Sequence, residues 1–124
     1  MRKESESLST RCEVELDIFS GRPNPTWLLT DAETARFLRT IGELPVASPR
    51  ELSGNLGYRG FMVQCTEGAD SRLIRIQKGI VQLTSGTHNA YASDKDRQLE
   101  RWLLETGRPR LQSEVLQIAE GELQ

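Results

Sequence analysis

Residues 12–19 form an alternating run, and this run constrains the fold more than any other part of the sequence. Its apolar members include Val14, Leu16 and Ile18, and its acidic members are Glu13, Glu15 and Asp17. Successive side chains of a β-strand point to opposite faces of the sheet, so the run predicts a strand with one buried and one solvated face. Residues 20–25 (Ser-Gly-Arg-Pro-Asn-Pro) end it, because proline cannot donate to a strand ladder.

Helical spacing and turn residues predict the other elements. Thr30 begins a helix as its N-cap, with Glu33 completing a capping box. Residues 60–66, 72–77 and 80–84 are expected to form a meander, since its short turns can join only antiparallel neighbours. Residues 85–92 are expected to be a polar loop. Two further helices follow, one carrying Leu99, Trp102, Leu103 and Thr106 at helical spacing and one in residues 113–120.

The resulting order is β-α-β-β-β-α-α, which predicts an α+β fold. We expect an antiparallel sheet of about four strands with two or three helices packed on one face. The domain organisation expected is a disordered leader in residues 1–11 and a single α+β domain in residues 12–124. The leader is charged and Ser-rich without an apolar stretch, so it does not resemble a secretory signal and a cytoplasmic location is expected.

Composition excludes several classes of function. A formal net charge of -2 argues against nucleic-acid binding, and no apolar run approaches the ~20 residues of a membrane span. Cys12, Cys65 and a single histidine are too few for a structural zinc site, so no metal and no cofactor are expected. Both cysteines alternate with apolar residues, which favours two reduced core thiols over a disulfide.

Two loops combine arginine with an aromatic residue. The first, residues 20–27, carries Arg22 and Trp27 beside two prolines that stiffen it. It could present a guanidinium and an indole to an anionic or planar partner. The alternative is that Trp27 packs over the helix while Arg22 pairs with a strand carboxylate such as Asp17.

The second such loop, residues 56–61, places Tyr58 and Arg59 between two glycines, Gly57 and Gly60. Tyrosine and arginine together form a candidate anion-binding pair. The glycine spacing is too short for a dinucleotide fingerprint, and no helix follows it. The alternative is a bulge or a kink at the beginning of a strand.

His88 is the candidate for acid–base catalysis, because histidine alone has an unperturbed pKa near neutrality. Ser85, Thr87 and Tyr91 place hydroxyl groups near it in the sequence. The alternative is a solvated or capping histidine in a polar loop. The sequence contains no nucleophile elbow, Walker loop or HExxH motif.

Three segments together resemble a group of small, uncharacterised, mostly bacterial proteins. They are residues 14–27, which contain SGRPNPTW, residues 56–61, which contain GYRGF, and residues 99–107, which contain RWLL. The group shares an SGRPNPxW loop, a GYRGF segment and an RWLL helix. The resemblance implies one recurrent domain and supplies no activity, cofactor or catalytic residue.

Three functions are compatible with these features. The first is a small soluble binding or accessory protein that holds a peptide, a protein or a small anionic ligand at Arg22, Trp27, Tyr58 and Arg59. The second is a small enzyme of specialised metabolism, in which His88 is the general acid or base and Arg22 or Arg59 clamps a carboxylate. The third is a structural domain that forms a homo-oligomer. The first is the function expected, with neither nucleic acid nor membrane as partner.

Overall fold

Six antiparallel strands and three helices make up the α+β fold of the computed structural model, which describes residues 10–52 and 57–124. The strands are β1 (Thr10–Leu16), β2 (Thr26–Leu28), β3 (Phe61–Glu67), β4 (Asp70–Gln77), β5 (Ile80–Ser85) and β6 (His88–Ser93). The helices are α1 (Asp31–Glu43), α2 (Gln98–Gly107) and α3 (Ser113–Glu122). The sheet order is β2-β1-β3-β4-β5-β6.

The predicted fold class is confirmed, with six strands where about four were expected. The two additional strands lie at the sheet edges. β2 forms because the amide of Leu16 donates to the carbonyl of Pro25 at 3.0 Å, so pairing resumes directly after the second proline. β6 replaces the polar loop expected in residues 85–92, because a tight turn with Gly86 at φ 62° reverses the chain. The predicted leader, apart from Thr10 and Arg11, lies outside the described residues.

The core lies on one face of the sheet. The strand register aligns two rows of mainly apolar side chains on that face. One row contains Val14, Val63, Ile74 and Leu83, and the other contains Leu16, Phe61, Ile76, Val81 and Ala92. The helices add Phe37, Ile41, Leu99 and Leu103 to the same core. The opposite face of the sheet carries mostly polar side chains and is called the open face below.

Caps determine where α1 and α2 begin. Thr30 and Glu33 form the predicted capping box, with reciprocal bonds of 3.1 and 2.9 Å between each side chain and the other backbone amide. At α2, the carboxylate of Asp94 accepts from the amides of Leu99 and Glu100 at 2.8 and 3.0 Å. Burial raises the pKa of Asp94 despite these bonds, since the charged form is desolvated.

A tryptophan joins the sheet to the helices. The indole Nε1 of Trp27 donates to Oγ1 of Thr106 at 2.9 Å. The ring also packs against Gly107 at the end of α2, so closely that a Cβ there would lie 2.5 Å from Cζ2 of the indole. Because a Cβ at position 107 would overlap the ring of Trp27 in β2, only glycine fits there.

The expectation of reduced thiols is wrong, because Cys12 and Cys65 form a disulfide. The β1–β3 register places the two residues directly opposite each other, with 4.1 Å between their Cα atoms. They are 53 residues apart in the chain, so their proximity depends on which strands are neighbours. Alternation alone predicted their burial and could not predict their pairing.

Reduction of this disulfide should destabilise the fold. A cross-link that closes a loop of this length lowers the conformational entropy of the unfolded chain. This raises the free energy of unfolding by about 4 kcal/mol. We expect denaturant unfolding to require correspondingly less denaturant after reduction, or in the Cys12→Ala, Cys65→Ala double variant. Thiol titration of the unfolded, unreduced protein should detect no free thiol. Two titratable thiols would contradict the disulfide.

Alanine at Gly107 should destabilise the protein by about 1–3 kcal/mol, because its Cβ would overlap the ring of Trp27. Gly121 in α3 is the matched control, since a Cβ there meets nothing within 4 Å. The Gly121→Ala variant should be stabilised by about 0.5–1 kcal/mol through helix propensity. Thermal unfolding of both variants measures the contrast. Equal changes in thermal stability at the two positions would show that overlap with Trp27 does not determine the effect of alanine at position 107.

Candidate binding groove

Asn24 holds the first Arg/aromatic loop in a fixed shape. Its Oδ1 accepts from the amides of Ile18 and Phe19 at 3.0 and 2.7 Å. Its Nδ2 donates to carboxylate oxygens of Glu15 at 2.8 Å and Asp17 at 3.3 Å. One side chain thus satisfies two amides at the end of β1 and ties the loop back to that strand. With the fixed φ angles of the flanking prolines, these bonds make the loop stiff.

Arg59 braces the second loop against the first. Its Nε and Nη2 donate to Oδ1 of Asp17 at 3.1 and 2.8 Å, and Nη2 also donates to the carbonyl of Phe19 at 2.8 Å. The backbone amide of Arg59 bonds to the carbonyl of Asp17. The two loops therefore converge at the end of the sheet where β1 ends and β3 begins. Leu56, at the start of the second loop, lies outside the described residues.

Arg22 is exposed, and its guanidinium carbon lies 3.9 Å from the centroid of the Phe19 ring. This cation–π contact holds the guanidinium in place without using its N–H groups. Asp17, the carboxylate considered as its partner, pairs instead with Arg59. Within residues 10–52 and 57–124, Arg22 makes no ion pair. It is thus available to an external anion.

A groove of about 380 Å³ separates this loop from the connection between α2 and α3. Phe19, Arg22 and residues 23–26 line one wall. The other wall consists of Arg110, Leu111, Gln112 and Val115. Nη1 of Arg110 donates to the carbonyls of Leu28 at 3.1 Å and Thr106 at 3.4 Å, which anchors this arginine beside β2. Two guanidinium groups therefore border a groove with apolar side chains in its walls.

Tyr58 belongs to a buried network and does not line the groove. It is 7% exposed, and its hydroxyl donates to Oε2 of the fully buried Glu100. Arg97 binds the same carboxylate with two bonds of 2.9 Å. Burial, with the nearby charge of Glu100, raises the pKa of Tyr58. These bonds connect the second loop to α2.

Trp27 and His88 also lie away from the groove. Trp27 is 5% exposed in the contact with α2 described above, as the packing alternative anticipated. His88 is exposed at the start of β6, opposite Ser85 in the register. That hairpin lies at the end of the sheet far from Leu16 and Phe61, so His88 is not brought near Arg22 or Arg59.

Of the four predicted binding residues, Arg22 alone lines the groove. Arg59 holds the loop in place through its hydrogen bond to the carbonyl of Phe19. Sequence reasoning missed Arg110, which no local pattern distinguishes. The described residues contain no group of three or more His, Cys, Asp or Glu side chains that could hold a metal ion. In the same part of the chain, no helix is long and apolar enough to cross a membrane.

Comparison with known proteins does not add to this geometry. The chain matches no protein-family model, no curated protein and no solved structure. The function is therefore argued from the groove and the side chains around it.

Removal of the Tyr58 hydroxyl should destabilise the protein and change its response to alkaline pH. Tyr58→Phe leaves a buried carboxylate of Glu100 short of one donor, which costs about 1–3 kcal/mol near neutral pH. Because the pKa of Tyr58 is raised in the folded state, its contribution is complete below about pH 10 and is lost as pH rises further. The free energy of unfolding of Tyr58→Phe should therefore decline less than that of wild type above about pH 10.

Tyr91→Phe is the matched control, since the half-buried Tyr91 hydroxyl lies on the open face, where it accepts from Gln82. The free energy of unfolding of Tyr91→Phe should still decline at alkaline pH, because Tyr58 is unchanged in this variant. Denaturant unfolding between about pH 8 and pH 11 measures all three proteins. If wild type and Tyr58→Phe decline in parallel, the buried hydroxyl does not cause the alkaline loss.

Proposed function

We propose that this domain is a small binding module for a ligand that carries a carboxylate beside an apolar group. The observation that supports the proposal is the pair of guanidinium groups, Arg22 and Arg110, at the border of one groove. A guanidinium donates two parallel hydrogen bonds to a carboxylate, and such bonds are stronger than neutral ones.

The groove walls supply a complementary apolar surface. Phe19, Leu111 and Val115 all contribute to it. A volume of about 380 Å³ lies within the range of small-molecule sites and would hold a small organic acid or the end of a peptide. A peptide carboxyl terminus with an apolar last side chain carries both required groups on the same Cα atom. We therefore take a carboxyl terminus as the first source to test and a free organic acid as the second.

The rigidity of the site favours binding. Ordering a flexible arginine costs about 0.5–1.5 kcal/mol on association. The Phe19 ring already restricts Arg22, and two backbone carbonyls already hold Arg110. Asn24 and Arg59 fix the loop that carries Arg22. Folding therefore already orders these arginine side chains, and little further entropy is lost when a ligand binds.

The other functions stay predictions. The exposed position of His88 gives no geometric support to the enzyme alternative, and a homo-oligomer is untested. The cytoplasmic location also stays a prediction. The disulfide weighs against it, because reducing compartments keep most cysteines as thiols. Rapid alkylation of intact host cells, before lysis, would determine the state of Cys12 and Cys65.

Calorimetric titration with N-acetyl-glycyl-glycyl-leucine tests the proposal. We expect saturable binding of the free acid and at least tenfold weaker binding of its C-terminal amide, which lacks the carboxylate. Arg22→Gln and Arg110→Gln should each weaken binding of the acid about tenfold or more. Arg39→Gln is the matched control, since Arg39 is exposed on α1 outside the groove.

N-acetyl-leucine distinguishes the two sources of the carboxylate. Equal affinity for N-acetyl-leucine and the tripeptide would assign the groove to small acids, whereas tighter binding of the tripeptide would assign it to peptide termini. The proposal fails if acid and amide bind alike, if neither acid binds, or if all three arginine variants bind as wild type does. Thermal unfolding of each variant confirms that lost binding does not come from lost folding.

A further inference from the structure

The open face of the sheet contains a second cavity, on the side away from the core. The register of β3, β4, β5 and β6 aligns four side chains across this face, in the order Met62, Arg75, Gln82 and Tyr91. Arg75 is half-buried near the middle of the sheet. A guanidinium at such a position is costly unless an anion or a polar group compensates it.

The chain that follows α1 lies beside part of this row. It pairs with the outer edge of β6, where the amide of Ser93 donates to the carbonyl of Pro45 and the amide of Ala47 donates to the carbonyl of Tyr91, each at 2.9 Å. Residues 49–52 then lie over the open face. Between them and the sheet is a cavity of about 550 Å³, with Arg75, Gln82 and Tyr91 in its floor.

The cavity contains several hydrogen-bond donors and a net positive charge. Arg50 lines it from the covering segment and Arg75 from the sheet, and in residues 10–52 and 57–124 neither guanidinium has a hydrogen bond or an ion pair. Glu51 is the one carboxylate among the lining residues. The Tyr91 hydroxyl accepts from Nε2 of Gln82 at 2.9 Å, so its own hydrogen remains to be donated.

We propose that this cavity binds a phosphate group, either as inorganic phosphate or as the phosphate monoester of a small molecule. Arg50 would donate from the covering segment, and Arg75 and Tyr91 would donate from the floor. Gln82 would orient the Tyr91 hydroxyl through the bond that it already makes. The site is separate from the carboxylate groove and does not depend on it.

Phosphate fits this arrangement better than a carboxylate does. A carboxylate is planar and accepts bonds in its own plane, on the side away from its carbon substituent. The oxygens of a phosphate point in several directions, so one donor from the covering segment and two from the floor can be satisfied together. A monoester also has an organic group, and the volume exceeds what a single anion would occupy.

Titration with inorganic phosphate and with phenyl phosphate, followed by calorimetry and phosphorus NMR, tests the proposal. We expect saturable binding of at least one of them, about tenfold or more weaker in Arg75→Gln and in Arg50→Gln. Tyr91→Phe should weaken binding by a smaller factor, about three- to tenfold. Arg72→Gln is the matched control, because Arg72 lies on the same strand with its side chain on the opposite face.

The comparison of ligands identifies the source of the phosphate. Tighter binding of phenyl phosphate would indicate a monoester site, and equal binding would indicate a site for the phosphate group alone. Benzoate has the ring with a carboxylate in place of the phosphate. Titrated into the Arg22→Gln variant, in which the carboxylate groove is weakened, it should bind at least tenfold more weakly than phenyl phosphate. The proposal is overturned if neither phosphate saturates below about 10 mM, if benzoate and phenyl phosphate bind the Arg22→Gln variant with equal affinity, or if Arg75→Gln binds phosphate as Arg72→Gln does.

Arg22→Gln separates this proposal from the carboxylate groove. That variant should bind phosphate as wild type does, and Arg75→Gln should bind the tripeptide acid as wild type does. Loss of binding of both ligands in a variant that remains folded would indicate one shared site and would contradict two independent sites. Thermal unfolding shows which variants remain folded.

Discussion

The strand register is the constraint on which the rest of the structure depends. β1 and β3 pair without interruption over the full length of β1, from Thr10 opposite Glu67 to Leu16 opposite Phe61. Because side chains alternate between faces, one register assigns every strand residue to the core or to the open face. It brings Cys12 opposite Cys65, and the neighbouring pairings continue the two apolar rows that the helices cover. A shift of one residue would exchange the core and the open face.

Two carboxylates at one end of the sheet, those of Asp17 and Glu100, are buried, and each helps to fix a loop. Asp17 is 8% exposed and is compensated by Arg59. Glu100 is fully buried and is compensated by Arg97 and the Tyr58 hydroxyl. Such groups are costly if any partner is missing, so the loops have few alternative positions. That restriction gives the groove beside Arg22 a defined wall.

The sequence was most informative where structure is set by local chemistry. The alternating run predicted β1, and the Thr30–Glu33 pair predicted the start of α1, because each depends on residues a few positions apart. β2 and β6 were missed because both are short or polar edge strands, whose pairing depends on neighbours distant in the chain. The disulfide and Arg110 were missed for the same reason. Arg110 contacts the carbonyl of Leu28 across 82 residues, and no local pattern signals that contact.

The two arginines of the Arg/aromatic loops show why residue type alone did not define the site. Arg59 is half-buried against Asp17 and the carbonyl of Phe19, so its donors are already used within the fold. Arg22 stacks on the ring of the same Phe19, and its donors have no partner within the described residues. Arg75, on the open face, lies between Met62 and Gln82 of the neighbouring strands and has no partner in the described chain. Only knowledge of the acceptors around each guanidinium separates an arginine that holds a loop from one that has no partner in the described chain, and those acceptors come from distant segments.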